Sequence, residues 1–308
     1  MAKVKGLDHG YLYTKDDEMR IFRSSYNTDG ISLGSTAFLT INGRDIYVGA
    51  GSRNVQYDKS SSDMNMVTTI TDLCMDGSKE FFLVCGLPIK QYTAQKDRFR
   101  KQILSYNDCK VVYQGNDVEF HINDVYVLPQ GIGALLSMDT VDGDIILFDF
   151  GGMTIDIAYL EILNGNPILH KSDTWTNGIQ KLYSGVINAV NEHYNQTLDI
   201  SYAENIFVHG LTIHGEKKPT DFLLPVMKQF LEPIITEFKV NYPAVNAQIY
   251  LCGGSAKLFY ELFKSYFPSA KLMPNCQFAN AIGYARCGRQ KFRNYIPQPV
   301  NTSCCYRR

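Results

Sequence analysis

Three features are missing from this sequence: an excess of charge of one sign, a long apolar run and cysteine pairs at the CxxC spacing. The 30 basic and 31 acidic side chains leave a net charge of −1, which excludes a strongly basic nucleic-acid-binding surface over the whole protein. No apolar run approaches the roughly 20 residues that a membrane-spanning helix needs. No leader pattern follows Met1, so we expect a cytoplasmic protein that does not bind membranes.

The eight cysteines show neither a CxxC spacing nor an accompanying histidine pattern, so a zinc site is not expected. Cys85 and Cys252 lie inside apolar runs and are expected to be small core residues of a reduced protein. Cys304 and Cys305 lie in a polar stretch near the chain end, where we expect a frayed tail. With 45% hydrophobic residues, the 308-residue chain can bury the cores of two domains.

Strand-like and helix-like stretches alternate along the chain, which predicts an α/β fold. Apolar spacing predicts helices over 93–106, 177–194, 222–238 and 256–267, and polar residues predict a loop at 60–63. The densest basic patch falls in the first of these helices and is expected to be its solvated face, so direct DNA binding is not expected. Gly143 opens a second half of the pattern, which predicts domains at 1–142 and 143–308.

The most informative segment is an apolar strand, a double-glycine turn and a second strand, here called the double-glycine hairpin. It reads Asp149-Phe150-Gly151-Gly152-Met153-Thr154-Ile155-Asp156. Two adjacent glycines let the backbone approach a ligand closely and direct N–H groups toward it. Carboxylates at both ends of the turn can hold a metal ion or a water molecule. The segment predicts a phosphate and magnesium site, with phosphate contacts from Gly151, Gly152, Met153 and Thr154.

The same arrangement occurs near the start of the chain. Asp8 follows a short strand, Gly10 makes the turn, and Lys15 lies on the next strand. Two similar halves facing each other would leave a cleft into which both Asp8 and Asp149 point. Mg²⁺ keeps most of its water ligands and needs few carboxylates, so both aspartates are expected to hold it through water. Lys15 would supply a positive charge for the phosphates.

Three further segments are expected to contribute to this cleft. Gln130 and Asp156 each lie just past a turn, and both are candidates for positioning a hydrolytic water. A later strand is followed by Gly253, Gly254 and Ser255, whose backbone suits the nucleoside side of a nucleotide.

Most of these residues also have a purely structural explanation, which the pattern leaves open. Asp8 can cap a turn, and Lys15 can be a solvated lysine at a strand end. Gln130 can cap a helix, and Gly253-Gly254 can make a tight strand-to-helix turn. Carboxylates at the ends of a core strand, as in the double-glycine hairpin, are harder to explain without a partner.

Five motifs resemble those of the actin, heat-shock-chaperone and sugar-kinase ATPase superfamily, in the same order, over residues 8–283. Asp8-x-Gly10 with Lys15 resembles the first phosphate motif, and the double-glycine hairpin resembles the second. Segments at 129–134 and 279–283 resemble the two connecting helices, and 251–255 resembles the adenosine motif. Within the superfamily, the chain is most similar to the ParM group of bacterial actin-like plasmid-segregation proteins.

The resemblance implies an actin-like fold, with two ribonuclease-H-like subdomains around a central nucleotide cleft. Smaller inserts would lie at about 30–78 and about 185–245, and a C-terminal helix would return toward the first domain. The resemblance also implies ATP or GTP with Mg²⁺, hydrolysis, and polymerisation of the chain with itself into filaments. A small DNA-binding adaptor would connect the filament to centromere-like plasmid DNA. The base pocket would include Asn177 and Gly178.

One departure from the ParM pattern changes the expected chemistry. Gln130 occupies a position at which a ParM protein carries glutamate. An amide can orient a water molecule but cannot accept its proton, so Asp156 becomes the stronger candidate for the base.

Two other functions on the same fold remain open: a small-molecule kinase and a non-polymerising ATPase module. A kinase would need a carboxylate beside a substrate hydroxyl, a role that Asp156 could fill. Chaperone-type modules carry a large domain after the ATPase, whereas only about 25 residues follow Gly283.

Overall fold

Two β-sheets, one from each half of the chain, form the framework of the protein. The computed structural model describes residues 2–30, 34–51, 58–139, 141–164, 166–175, 178–242 and 245–295. Strands and helices alternate along these residues, which confirms the predicted α/β class. The predictions for Asn177, Cys304 and Cys305 fall outside the described residues.

The first sheet contains the strands of the first half and has parallel strands at its centre. Its strands are β1 (Lys3–His9), β2 (Tyr13–Asp16), β3 (Ile21–Arg23), β4 (Tyr26–Asn27), β5 (Ala37–Ile41), β6 (Arg44–Val48), β7 (Glu80–Leu87), β8 (Asp108–Tyr113) and β9 (Asn116–Pro129). They are ordered β3-β2-β1-β7-β9-β8-β5-β6-β4. Because β1, β7 and β9 run parallel, Asp8 near the end of β1 and Gln130 just after β9 lie at the same edge of the sheet.

The second sheet carries the double-glycine hairpin. The strands of the second half are β10 (Gly143–Phe150), β11 (Ile155–Leu163), β12 (Asn166–Trp175), β13 (Leu211–Ile213), β14 (Glu216–Lys218), β15 (Gln248–Cys252) and β16 (Lys271–Leu272). The sheet order is β12-β11-β10-β15-β16, while β13 and β14 form a separate hairpin. Since β10 and β15 are parallel, with Asp149 beside Cys252, the turns that follow them emerge together.

Helices cover the sheets and supply the connections between strands. They are α1 (Asp63–Asp76), α2 (Ile89–Leu104), α3 (Ile132–Leu136), α4 (Ile179–Tyr194), α5 (Tyr202–His209), α6 (Leu224–Asn241), α7 (Ala256–Tyr266) and α8 (Ala279–Lys291). Two short 3-10 helices occur at Lys59–Ser61 and Asp221–Leu223. Within the described residues, no helix is both long enough and apolar enough to cross a membrane.

The helix α1 is absent from the sequence-based prediction, and the loop predicted at 60–63 is wrong. A 3-10 helix ends at Ser61, and α1 begins at Asp63. Residues 67–71 of α1 are all β-branched, which lowers helix propensity. Val67, Ile70 and Leu73 are nevertheless buried in the core of the first half, so tertiary packing stabilises a helix that local preference disfavours.

The helix α2 begins earlier than the predicted start at 93. It starts at Ile89, directly after Pro88, and ends at Leu104. Its mean character is polar, and only Phe99 and Ile103 are buried, as expected for a helix with a solvated face.

The last described helix, α8, packs on the first half of the protein through backbone contacts. A Cβ added to Gly283 would lie 1.7 Å from the carbonyl oxygen of Gly133 in α3. A Cβ added to Gly6 in β1 would lie 2.0 Å from the carbonyl oxygen of Ala281. These distances leave no room for side chains, so glycine is needed at these crossings.

We expect Gly283→Ala to destabilise the protein, because backbone atoms cannot move aside as a side-chain end can. Alanine raises helix propensity by about 1 kcal/mol, but overpacking at the α3–α8 crossing should reduce the free energy of unfolding by about 1–3 kcal/mol overall. Urea denaturation measures this change.

The matched control is Gly185→Ala in α4, where the nearest atom to the new Cβ is the end of the Val226 side chain, at 3.1 Å. Its free energy of unfolding should stay within about 1 kcal/mol of wild type, since the gain in helix propensity offsets a soft contact. Equal stabilities for the two variants would contradict the proposed backbone crossing.

Candidate active site

A cavity of about 90 Å³ lies between the two halves of the protein, where strand ends of both sheets meet. Asp8 and the turn after β1 line one side, and the double-glycine hairpin lines the other. The two turns touch, because a Cβ added to Gly152 would lie 2.3 Å from Cγ of Leu12. The fold therefore brings the two Asp-x-Gly turns face to face around one cleft.

Three buried carboxylates line this cavity. Asp8, Asp149 and Asp156 are only 5%, 8% and 6% exposed. Asp149 and Asp156 are register partners across the β10–β11 pair, and Asp8 is the register partner of Lys15 across β1–β2. Lys15 Nζ lies 3.7 Å from Asp8 Oδ2, and this is the shortest lysine or arginine contact that any of the three makes among the described residues.

The surroundings of Asp149 disfavour ionisation of its carboxyl group. Burial is the largest cause, and the neighbouring charges of Asp8 and Asp156 add to it. A hydrogen bond from Asn280 and the charge of Lys15 act in the opposite direction, and together these effects raise the pKa of Asp149 to about 6. A bound cation would relieve the same repulsion, so the pair of facing aspartates suits a site for positive charge.

Asp156 is held by two hydroxyl groups. Thr174 Oγ1 donates to Oδ1 of Asp156 at 2.5 Å, and Thr154 Oγ1 donates to Oδ2 at 3.2 Å. Burial raises the pKa of Asp156, while these two hydrogen bonds lower it. Thr154 thus orients the carboxylate, a contact that differs from the phosphate contact predicted for it.

Gln130 reaches the same cavity from the end of β9. Its Nε2 donates to Oδ1 of Asp8 at 3.0 Å, and its backbone N–H donates to the carbonyl oxygen of Leu87 at 2.7 Å. The side chain is therefore oriented across the cleft floor rather than used as a helix cap.

Asn280 is a site residue whose side-chain role the sequence-based prediction missed. Its Nδ2 donates to Oδ2 of Asp149 at 2.8 Å, and its Oδ1 accepts from the backbone N–H groups of Gly131 and Ala134 at 2.9 and 3.0 Å. One buried amide therefore joins α8, the start of α3 and the double-glycine hairpin. The motif at 279–283 pointed to this helix but not to this contact.

Lys59 is a second missed residue. It comes from the 3-10 helix before α1, is 4% exposed, and lines the cavity. Burial lowers the pKa of Lys59, although the charges of Asp8 and Asp156 draw it back up. The chain around it has no phosphate-type motif, so only the folded structure could place its amine in the cleft.

The backbone N–H groups of the two turns are only partly available to a ligand. Gly10 N–H donates to the carbonyl oxygen of Asp8 at 3.0 Å, and Gly151 N–H donates to that of Thr154 at 2.9 Å. The N–H groups of Gly152 and Met153 have no hydrogen-bond partner within the part of the chain that the structure describes. Of these two residues, Gly152 lines the cavity.

Gly178 supports the hairpin from behind instead of lining the cavity. Its N–H donates to the carbonyl oxygen of Met153 at 2.9 Å, and the next N–H groups of α4, from Ile179 and Gln180, reach the carbonyls of Gly151 and Gly152. A Cβ at Gly178 would lie 2.2 Å from the carbonyl carbon of Met153, so only glycine allows this approach.

The three predicted residues of the turn after β15 have two different roles. Gly253 has φ of +94°, and a Cβ there would lie 2.4 Å from Oδ1 of Asp149, so it supports that carboxylate. Gly254 and Ser255 line the cavity, and Gly254 lies near the amine of Lys15.

A hydrogen bond closes the other end of the cavity. Tyr13 Oη, from the first half, donates to Oε2 of Glu204 in α5 of the second half at 2.5 Å. The cavity has room for several water molecules but is well below the roughly 300–1,000 Å³ of small-molecule sites. Parting of this contact would enlarge the cleft.

The described residues contain no cluster of three or more histidine, cysteine or carboxylate groups that could hold a metal ion alone. The two aspartates proposed for Mg²⁺ fit an ion that takes its other ligands from water and phosphate. The buried repulsion around Asp149, the two lysines and the hairpin-tip N–H groups that have no partner among the described residues together fit a magnesium nucleotide.

The fold and the site define a two-lobed α/β protein with an acidic cleft between its lobes. Residues 6–133 match the family model for the N-terminal domain of actin-like proteins. Residues 147–265 match the model for the C-terminal domain of archaeal MreB-like actin homologues. The chain belongs to the actin-like protein family.

Solved structures agree with this assignment at the level of the fold. An archaeal actin homologue has a TM-score of 0.81 and 20% identity, with 94% of this chain and 99% of that chain covered. The same homologue in complex with ADP has a TM-score of 0.80. A 15-stranded ParM filament from Clostridium botulinum has a TM-score of 0.77 and 20% identity, with 94% and 100% covered. No curated protein sequence matches this chain.

We expect Asp149→Asn to stabilise the protein in metal-free buffer at pH 7. Because the native state raises the pKa of Asp149 above the unfolded value of 3.8, its ionisation costs stability as pH rises through about 4 to 6. Above pH 6 the variant should gain about 2–3 kcal/mol in the free energy of unfolding. Below pH 4 the difference should vanish.

The control is Asp144→Asn on the same strand, β10, where the side chain accepts a hydrogen bond from Tyr159 at 3.2 Å. Urea denaturation at pH 4 and pH 7 compares the two variants. A pH-independent effect of Asp149→Asn, or an equal effect of the control, would show that like-charge repulsion does not act at Asp149.

Proposed function

We propose that the protein binds ATP or GTP with Mg²⁺ in the cleft, hydrolyses it, and assembles into filaments that segregate plasmid DNA in the bacterial cytoplasm. One observation carries the proposal: three buried carboxylates, two lysines and the double-glycine turn line one cavity of an actin-like fold. These groups offer an anionic site for a cation beside a cationic site for phosphates.

The phosphates would lie between the two Asp-x-Gly turns. Lys15 supplies positive charge beside Asp8, and the N–H groups of Gly152 and Met153 supply neutral donors. Asp8 and Asp149 would hold Mg²⁺ through water, and the ion would supply charge neutralisation for the phosphate oxygens. Gly254 and Ser255 would contact the nucleoside side.

Hydrolysis requires a water molecule to be positioned and its proton to be accepted. Asp156 is fixed by Thr154 and Thr174, which leaves its carboxylate oriented toward the cavity that it lines. Burial raises its pKa, which strengthens it as a base. Gln130, held by its donation to Asp8, would orient the same water.

Because the cavity is small, a nucleotide would enter it only if the two halves of the protein moved apart. Tyr13 and Glu204 close its mouth, and Leu12 packs on Gly152 between the turns. A nucleotide would therefore contact both halves and change their separation. Such a change would link the bound nucleotide to assembly, because any assembly surfaces on the two halves would move when the halves move.

A separate adaptor would bind the DNA. Two arginines of the basic patch on α2 are paired within the protein, since Arg98 contacts Asp58 and Arg100 lies 2.5 Å from Asp124. With a net charge of −1, the chain itself offers little to attract DNA phosphates. A small DNA-binding protein would therefore connect the filament to a centromere-like plasmid site.

We expect ATP or GTP with Mg²⁺ to raise light scattering above a critical protein concentration and to make the protein pelletable. The protein alone, and the protein with nucleotide and EDTA, should stay in the supernatant. Asp149→Asn serves as a folded control that should not assemble. Hydrolysis without any concentration-dependent assembly would instead favour a kinase or a non-polymerising ATPase module.

We expect Asp156→Asn to bind nucleotide and assemble but to release phosphate about 100-fold more slowly, since an amide cannot accept the proton of the attacking water. Its filaments should consequently persist longer after assembly. Glu161→Gln on the same strand, where the side chain pairs with exposed His170, is the matched control. A wild-type rate of phosphate release from Asp156→Asn would remove Asp156 from the mechanism.

A further inference from the structure

Lys59 is a buried cation in the cleft that the proposed nucleotide contacts leave unused. It lies in a 3-10 helix between the strands of residues 37–48 and α1, and its side chain reaches the cavity lined by Asp8 and Gln130. Its amine donates to the backbone carbonyl of His9 and lies 4.8 Å from the centre of the Tyr11 ring.

Asp8 and Asp156 act on the charge of Lys59, but within the described part of the chain neither lies at salt-bridge distance from it. Among the described residues, no carboxylate oxygen lies within 4.0 Å of its amine. A lysine amine has three N–H donors, and a buried ammonium group without a paired carboxylate is costly. One backbone carbonyl and one aromatic ring offset only part of that cost.

A second buried lysine, Lys5, has the ion pairs that are expected of a structural cation. Lys5, in β1, is fully buried, and its amine lies 2.6 Å from Asp16 and 3.2 Å from Asp76. It has no access to the cavity. Lys59 differs in both respects, since it lines the cavity and lacks such a pair. An anionic ligand entering the cleft would supply the missing partner.

The backbone beneath Lys59 is fixed from several directions. Asp58 caps the 3-10 helix by accepting from the Ser60 backbone N–H at 3.0 Å, and Arg98 of α2 contacts both Asp58 and Ser60. Asn65 of α1 donates to the Lys59 carbonyl. The amine is therefore presented by a rigid support, which reduces the entropy lost when it binds a ligand.

The electrostatic neighbours of Lys59 indicate which phosphate it meets. Its amine interacts with Asp8 and with Asp156, the residue proposed to activate water beside the reacting phosphate. Lys15 enters from β2, its amine lies 3.7 Å from Oδ2 of Asp8, and its charge acts on Asp149. The two lysines are thus assigned to different parts of one triphosphate, with Lys59 on the side where the terminal group reacts.

We propose that Lys59 binds the terminal phosphate of the nucleoside triphosphate and so makes the cleft discriminate triphosphate from diphosphate. This inference rests on the proposed nucleotide function. It also places the 3-10 helix that precedes α1 in contact with the bound nucleotide through one side chain, so this segment would respond to the loss of the terminal phosphate.

Calorimetric titration with magnesium-bound ADP and with a non-hydrolysable imido analogue of ATP tests the inference. If GTP is the preferred nucleotide, its counterparts are used. Lys59→Met should weaken binding of the triphosphate analogue by at least about 10-fold, the scale of one lost charged hydrogen bond, and ADP binding by less than about twofold. Lys59→Arg should recover most of the discrimination, because it keeps the charge.

Lys96→Met is the matched control, since Lys96 also lies over a tyrosine ring, that of Tyr92, but outside the cavity. It should bind both nucleotides like wild type. Retained ADP binding shows that Lys59→Met is folded; should that variant fail to fold, Lys59→Gln keeps a donor for the His9 carbonyl and makes the same comparison.

Equal weakening of ADP and triphosphate binding by Lys59→Met, or no weakening of either, would overturn the role of Lys59 and leave the proposed function intact. A wild-type protein that binds neither nucleotide would overturn both.

Discussion

Like-charge repulsion among three buried carboxylates is the constraint around which the cleft is built. Asp8, Asp149 and Asp156 line one small cavity, and the only close cation contact among the described residues is Lys15 at 3.7 Å from Asp8. Such an arrangement lowers stability in the absence of a ligand, because burial and mutual repulsion oppose ionisation. Native structures tolerate costs of this kind mainly where function requires them.

The rest of the molecule holds these charges in position. Asn280 joins Asp149 to the backbone of α3, so the helix α8 fixes the cleft floor from the second half while packing on the first. The glycine contacts at Gly133 and Gly283 bring α3 and α8 close enough for that amide to reach. Substitution at this crossing should therefore affect both stability and the geometry of the site.

The sequence predicted the features that local pattern determines. The double-glycine hairpin and its echo at Asp8 were found because a strand, an Asp-x-Gly turn and a second strand are contiguous in the chain, and the register of β10 and β11 pairs Asp149 with Asp156. The α/β class followed from the alternation of strands and helices. The order of the motifs indicated the actin-like family, which the family models confirm.

Sequence pattern could not predict contacts between residues that lie far apart in the chain. Asn280 lies 131 residues from its partner Asp149, and Lys59 follows an unremarkable polar stretch. The helix α1 was not predicted because the run of β-branched residues at 67–71 has low helix propensity. The sequence also did not show which glycines line the site and which support it. Gly178 and Gly253 support the site, whereas Gly152 and Gly254 line it.

The central claim is that one magnesium nucleotide contacts both halves of the protein through the two facing turns. Hydrogen–deuterium exchange, with and without ATP or GTP and Mg²⁺, tests it most directly. The account predicts simultaneous protection of residues 8–15 and 149–156, with the N–H groups of Gly152 and Met153 among the most affected. Protection confined to one turn, or absent from both with each nucleotide, would contradict it.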